Sequence, residues 1–266
     1  MMCEWVVGDV ERMTIDGIEL EVVRRGAGPP LVFLHGMQTI DPAARFLDGL
    51  GRRALVIAPS SPGFGNSPRP EHFDSVYDLV HHHLDVLDTI AAEARSPVVL
   101  AGHSFGGWLA AEIAVKRPAA LAKLILIDAV GIKISDRETA DIVDVFNTSP
   151  AAVKRLAWHD PAAAPDFDAM TDEQIAAHAR SWEALCRYAW HPYMYNPALK
   201  TWLKRIAVPT LVVWGEHDGI VTPAYGRAYA DLIPGARFVA IAGAAHAPHL
   251  EKPDAFVDAV AAFLER

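Results

Sequence analysis

With 266 residues, 52% of them apolar, the chain can bury one large core, either as a single α/β domain or as a core with an inserted subdomain, and its composition excludes disorder. A formal net charge of −9 argues against nucleic-acid and anionic-membrane surfaces, which need clustered Lys and Arg, and leaves a neutral or apolar small molecule as the expected partner. Cys3 and Cys186, the two cysteines, supply neither a disulfide framework nor a zinc pattern, so a reducing cytoplasm is compatible.

The first residues, Met1 to Met13, place Glu4 and Asp9 around a very short apolar run, so no signal peptide is expected. Residues near 10 to 25 centre on Asp16-Gly17 and predict an antiparallel hairpin. Apolar runs of buried-strand type follow: Leu31 to Leu34, Ala54 to Ile57, Val98 to Leu100, Leu124 to Ile127, Leu211 to Trp214 and Phe238 to Ile241. Each ends where small or polar residues gather. Helical patterns at about 75 to 95, 105 to 117, 223 to 232 and 253 to 265 separate them, which predicts a mostly parallel sheet flanked by helices. Ligands of such sheets bind beyond the carboxyl ends of the strands.

From Gly131 to Lys204 the rhythm breaks into helical stretches punctuated by Pro150, Pro161, Pro165, Pro192 and Pro197. This predicts a helical cap (131–204), inserted after the sixth strand, between two parts of an α/β core (1–130 and 205–266). The cap is rich in Trp and Tyr. Most of these side chains should pack its interior, with Trp158, Trp190 and Tyr193 as candidates for lining a largely apolar substrate pocket. No apolar window reaches the length of a membrane span, since Glu112, Lys116 and Arg117 interrupt even the richest one.

Gly102-His103-Ser104-Phe105-Gly106 fits G-x-S-x-G directly after a strand and directly before a helix. That context gives the pattern its meaning. So sharp a turn needs small residues on both flanks and lifts the serine hydroxyl to the amino end of the following helix. A serine nucleophile also needs a base and an orienting acid, in the order Ser, Asp, His. Asp218 lies in the loop after Leu211 to Trp214, and His246 in the loop after Phe238 to Ile241. Asp128, at the end of Leu124 to Ile127, is the alternative acid, and His249 the alternative base. His81, His82 and His83 are consecutive on a helix, about 100° apart, and read as a solvated face rather than a metal site. No metal or cofactor is expected.

On these residues the sequence resembles the α/β-hydrolase family over essentially its whole length, and within it the capped bacterial serine hydrolases and carboxylesterases. The resemblance implies Ser104 as nucleophile, His246 as general base and then acid, and Asp218 as the residue that orients the imidazole. His35-Gly36-Met37 matches the family's H-G-x element, which implies an oxyanion hole formed by the N–H groups of Met37 and Phe105. A serine at 104 departs from the aspartate of haloalkane dehalogenases and epoxide hydrolases. Ala247 after the histidine departs from the nearby tryptophan usual in carbon–carbon bond hydrolases of ring-cleavage pathways. Pro59 to Ser67 resembles the family's D-x-R-G-x-G-x-S turn with Ser60 and Pro62 in place of its charged pair, and reads as structural. The expected activity is hydrolysis of neutral, small to medium esters or lactones, with a homodimer compatible. Carbon–carbon bond hydrolysis, a slow hydrolase serving as ligand receptor, and non-hydrolytic chemistry on the same scaffold are the alternatives.

Overall fold

A computed structural model describes residues 10–136 and 138–266. The expectation about the amino terminus, Cys3 included, lies outside the described residues, apart from Val10 to Met13. The hairpin forms as predicted: β1 (Val10–Ile15) pairs antiparallel with β2 (Ile18–Arg25), joined through Asp16 (φ 47°) and Gly17 (φ 78°). Two successive left-handed residues give the turn a twist that matches its strands.

Each apolar run becomes a strand. They are β3 (Pro30–Leu34), β4 (Leu55–Pro59), β5 (Val98–His103), β6 (Leu121–Ile127), β7 (Thr210–Gly215) and β8 (Arg237–Ile241). The eight strands lie in the order β1-β2-β4-β3-β5-β6-β7-β8, with β2 antiparallel to β4 and all later pairs parallel. The central runs are apolar at every position because helices cover both faces of the sheet. On one face Val32, Leu100, Leu126 and Val212 pack with residues of α2 (Val76–Ala94), α3 (Phe105–Val115) and α7 (Pro223–Asp231). On the other, Leu31, Phe33, Ile125 and Val213 pack with α1 (Arg45–Gly51) and α9 (Pro253–Leu264). Burying one such side chain contributes roughly 1.5–3 kcal/mol, so a charge at Phe33 or Leu126 would be ruinous.

Between β6 and β7 the first helix begins at residue 150. Ser149 caps α4 (Pro150–Ala157) by accepting the Ala152 N–H, and a Thr171–Gln174 capping box starts α5 (Asp172–Ala189). α6 (Leu199–Trp202) is a single turn, and short 3₁₀ turns at 161–163, 167–169 and 203–205 complete the segment. Residues 131–136 and 138–149 are irregular instead of helical. Their polar groups are met locally, with Asp141 Oδ2 accepting the N–H groups of Ile134 and Ser135 and the Lys133 ammonium. α5 docks on the turn after β4: the Tyr188 hydroxyl donates to the Pro62 carbonyl and the Gly65 N–H to Ser181 Oγ. In that turn Gly63 (φ 91°) and Gly65 (φ 58°) supply the left-handed bends, in line with its structural reading.

The histidine run on α2 departs from the expected solvated face. His81 is exposed, but His82 and His83 lie on the buried face with Leu79, Val86 and Ile90. His83 Nε2 is 3.0 Å from Ser61 Oγ. The face that a helix buries is set by what packs against it: the turn after β4 reaches over to His83, and Phe73 packs on His82. Among the described residues no helix is long and apolar enough to cross a membrane.

Candidate active site

β5 ends at His103, and Ser104 takes φ 53°, ψ −114° before α3 begins at Phe105. This is a left-handed, strained backbone for a residue with a side chain, held by Ser104 N–H donating to the Ile127 carbonyl and by its own carbonyl accepting from Trp108 and Val130. The flanking glycines are sterically required. A Cβ at Gly102 would stand 2.2 Å from the Gly106 carbonyl oxygen, and one at Gly106 would stand 2.3 Å from that of Leu34.

The three residues drawn from distant stretches of sequence meet at one point. Ser104 Oγ is 2.9 Å from His246 Nε2, and His246 Nδ1 is 2.8 Å from Asp218 Oδ2. Asp218 is buried, and its Oδ1 accepts the N–H groups of Ile220 (2.8 Å) and Val221 (3.1 Å), so the carboxylate cannot rotate away from the imidazole. Asp128, the alternative acid, makes no hydrogen bond to His246. Its Oδ1 accepts the Gly215 N–H at 2.9 Å, while its Oδ2 is buried without a partner. Burial and the neighbouring Asp218 hold its carboxyl well above the usual carboxylate range.

His249, the alternative base, is buried among Phe33, Phe46 and Phe256, and among the described residues makes no hydrogen bond to Ser104. Desolvation lowers its pKa to about 3, with the neighbouring His246 adding to the effect. His35 packs against Phe64 and is lowered to about 4, again chiefly by burial. Its Nε2 accepts the Ser61 N–H at 2.9 Å and its Nδ1 lies 2.8 Å from the Gly36 carbonyl. The ring therefore fixes the strand end that leads into Met37.

Met37 follows β3 and Phe105 opens α3. Among the described residues neither N–H donates to a protein acceptor. Both stand beside the elbow, since a Cβ on Gly36 would approach Ser104 Cβ to 3.2 Å. The amino end of the eleven-residue α3 adds its dipole, which favours negative charge there.

The candidate pocket aromatics are placed differently from one another. Trp158 caps the end of α4, half-buried. Trp190 is 58% exposed with its ring against Phe146. Tyr193 Oη accepts the Val145 N–H and donates to the Val143 carbonyl, both at 2.8 Å, so its hydroxyl is committed to the segment's own backbone. A cleft of about 350 Å³ opens elsewhere, between Gly63–Arg69 and Arg180–Arg187 on α5, and none of the three residues of the relay lines it. Two features escaped sequence reasoning. His103 donates from Nε2 to the His246 carbonyl at 2.6 Å, and Glu251, in the short helix α8 (Pro248–Glu251), accepts the N–H groups of Ala245, His159 and Asp160. Neither pairing follows from a local motif, because the partners are separated by up to 143 residues.

A strained serine, an imidazole and a carboxylate thus stand in hydrogen-bond contact at the head of α3. Residues 31–259 match the model of the α/β-hydrolase family, and the chain belongs to that family. It is 31% identical to the polyketide synthase ThaQ of Burkholderia thailandensis over 94% of its own length, and spans 12% of that much longer protein. It is 29% identical to a 2-hydroxymuconate semialdehyde hydrolase of Pseudomonas sp. strain CF600, over 93% of this chain and 91% of the relative. The fold superposes on a serine hydrolase involved in carbazole degradation (CarC enzyme) with a TM-score of 0.79 and 21% identity, over 97% and 99% of the two chains.

Proposed function

We propose that the protein is a serine hydrolase that cleaves neutral carboxylic esters or lactones of small to medium size through an acyl-enzyme on Ser104. The observation that carries this reading is the unbroken relay Asp218–His246–Ser104 at 2.8 and 2.9 Å, aimed at the head of α3. Ser104 Oγ attacks the carbonyl carbon while its proton passes to His246 Nε2. The carbonyl electron pair moves onto oxygen, where the Met37 and Phe105 N–H groups receive it; each such donor contributes about 3 kcal/mol to the transition state. Collapse expels the alkoxide, which takes the proton back from His246. Water then repeats the sequence on the acyl-enzyme and releases the acid. Asp218 fixes the Nδ1–H tautomer throughout.

Neutral substrates are favoured by the polar surroundings of the relay. Its hydrogen-bond partners are backbone groups and each other, with no Lys or Arg nitrogen among the described residues. Residues 131–204 act as the cap in this reading and close over the carboxyl edge of the sheet, which the His246 N–H bond to the Ala157 carbonyl, next to Trp158, supports. A second reading, carbon–carbon bond hydrolysis, is favoured by the near full-length similarity to the 2-hydroxymuconate semialdehyde hydrolase. Against it, Ala247 follows the histidine and is buried.

The test is a fluorophosphonate label, located by mass spectrometry, followed by kinetics on a panel of esters and lactones beside 2-hydroxymuconate semialdehyde. The expected result is an adduct on Ser104, loss of turnover in Ser104→Ala, and the highest kcat/KM on a neutral ester or lactone. Preference for the semialdehyde would replace the ester reading with the second one. An adduct elsewhere, with Ser104→Ala still active, would overturn both.

A further inference from the structure

The carboxyl group of Asp128 is an ionisable group beside the relay that the proposed mechanism does not use. The chain leaves β6 at Ile127 and Asp128 takes a left-handed φ of 42°, with its N–H donating to the Val213 carbonyl and its Oδ1 accepting from Gly215. This geometry fixes the side chain under the acid of the relay. Asp128, Asp218 and His246 each place an oxygen or ring nitrogen within 4.8 Å of the other two, the one cluster of that spacing among the described residues. Every other carboxylate oxygen in it is already engaged: Asp218 Oδ1 by two N–H groups, Asp218 Oδ2 by His246, and Asp128 Oδ1 by Gly215. Only Asp128 Oδ2 has no partner, and it is completely buried.

Two carboxylates this close and this dry cannot both ionise, because mutual repulsion and desolvation act together. The proton belongs on the less solvated of the two. Asp218 has two backbone donors and an imidazole to stabilise its charge, whereas Asp128 has one backbone donor. Glu251 adds a further negative charge on the side of α8. A proton on Oδ2 also satisfies the orphan atom, turning it from an acceptor without a donor into a donor facing an acceptor.

We propose that Asp128 is a protonated positioning residue that donates a hydrogen bond from Oδ2 to the Asp218 carboxylate, so that the orienting acid of the relay is itself held by a second, neutral acid. The inference rests on the proposed serine hydrolase reading only for its kinetic consequence. The hydrogen bond stops Asp218 from swinging off His246 Nδ1 and leaves the pair with one negative charge. Burial and Asp218 both push the Asp128 carboxyl in the direction this requires.

The experiment compares Asp128→Asn, Asp128→Ala and wild type on the intact protein. An asparagine keeps both bonds, its oxygen to Gly215 and its amide to Asp218, without adding or removing charge if the native group is neutral. Difference infrared spectra near neutral pH should show a protonated carboxylic acid carbonyl band in wild type that Asp128→Asn lacks. Its absence from wild type would overturn the proposal whatever the activity shows. In kinetics, Asp128→Asn should stay within about 3-fold of wild type in kcat, with the acidic limb of its kcat/KM profile unmoved. Asp128→Ala should lose roughly 10–100-fold in kcat with little change in KM, on the scale typical for a supporting residue. A displaced acidic limb in Asp128→Asn would mean that an ionised Asp128 had been removed, which also overturns it. So would a folded Asp128→Ala with native kcat. If Ser104→Ala remains active, the hydrolase reading fails while the infrared result still decides the protonation of Asp128.

Discussion

The Nε2–H of His103 donates to the main-chain carbonyl of His246 across 2.6 Å. The residue directly before Ser104 thus holds the loop that carries His246, and its ring centre lies 5.2 Å from that of His246 and 4.5 Å from that of His249, tilted to both. Two more bonds fix the same loop: His246 N–H to the Ala157 carbonyl at 3.0 Å and Ala245 N–H to Glu251 Oε2 at 2.6 Å. The imidazole is therefore placed by anchors on β5, α4 and α8, and its distance to Ser104 depends on all three.

Removing the first anchor should be felt at the chemical step. His103→Ala is expected to lower kcat by about 10–100-fold while KM changes less, because a misplaced base costs rate through geometry. Steady-state kinetics on a single ester, with a thermal melt to show that the variant is folded, would check this. A native kcat would show that the other two anchors suffice.

Asp218→Asn should lower kcat by about 10⁴, since an amide at Oδ2 can present a donor to Nδ1 and select the wrong tautomer. The circular dichroism spectrum should be that of wild type. The contrast with the small effect expected of Asp128→Asn separates the residue bonded to the imidazole from the one behind it.

Glu251 links α4 to the base loop by accepting three N–H groups with its two oxygens. Glu251→Ala should leave the Ala245 N–H, on a buried residue, without a partner, at a cost of about 1–3 kcal/mol. It should also free the chain after α4. Limited proteolysis should then cut near His159 to Pro161 faster than in wild type, with kcat reduced at the same time. Glu251→Gln, which keeps an acceptor, should restore part of both.

Acid should unfold the protein through its buried imidazoles. His35 and His249 are lowered from 6.5 to about 4 and about 3, both mainly by desolvation, and burial lowers His83 and His103 as well. Once the pH drops below 6.5 the unfolded chain binds protons that the folded chain refuses, so stability falls with decreasing pH down to about 4 for His35 and about 3 for His249. Each such group contributes on the order of 1.4 kcal/mol per pH unit inside its window. Urea midpoints should decline from neutral pH downward. His249→Phe, which fits among Phe33, Phe46 and Phe256, should flatten that decline; an unchanged slope would remove His249 from the explanation.

The sequence by itself determined the strands, their hydrophobic filling and the identity of the elbow. Those signals are local: a run apolar at every position must be buried on both faces, and a serine between glycines after such a run has few conformations open to it. It also placed Asp218 and His246 in loops at the carboxyl edge, because chain order and strand ends are written in linear spacing. What the linear sequence could not specify is which groups meet across it. His83 is buried because the turn after β4 packs on that face of α2, and His82 because Phe73 covers it. Tyr193 spends its hydroxyl on the backbone at Val143 and Val145. Asp218 faces the imidazole while Asp128 faces Asp218, although both are aspartates just after a strand. The difference between the two acids is a matter of a few ångströms and of how many N–H groups each one receives, and those quantities exist only once β6, β7 and β8 lie side by side.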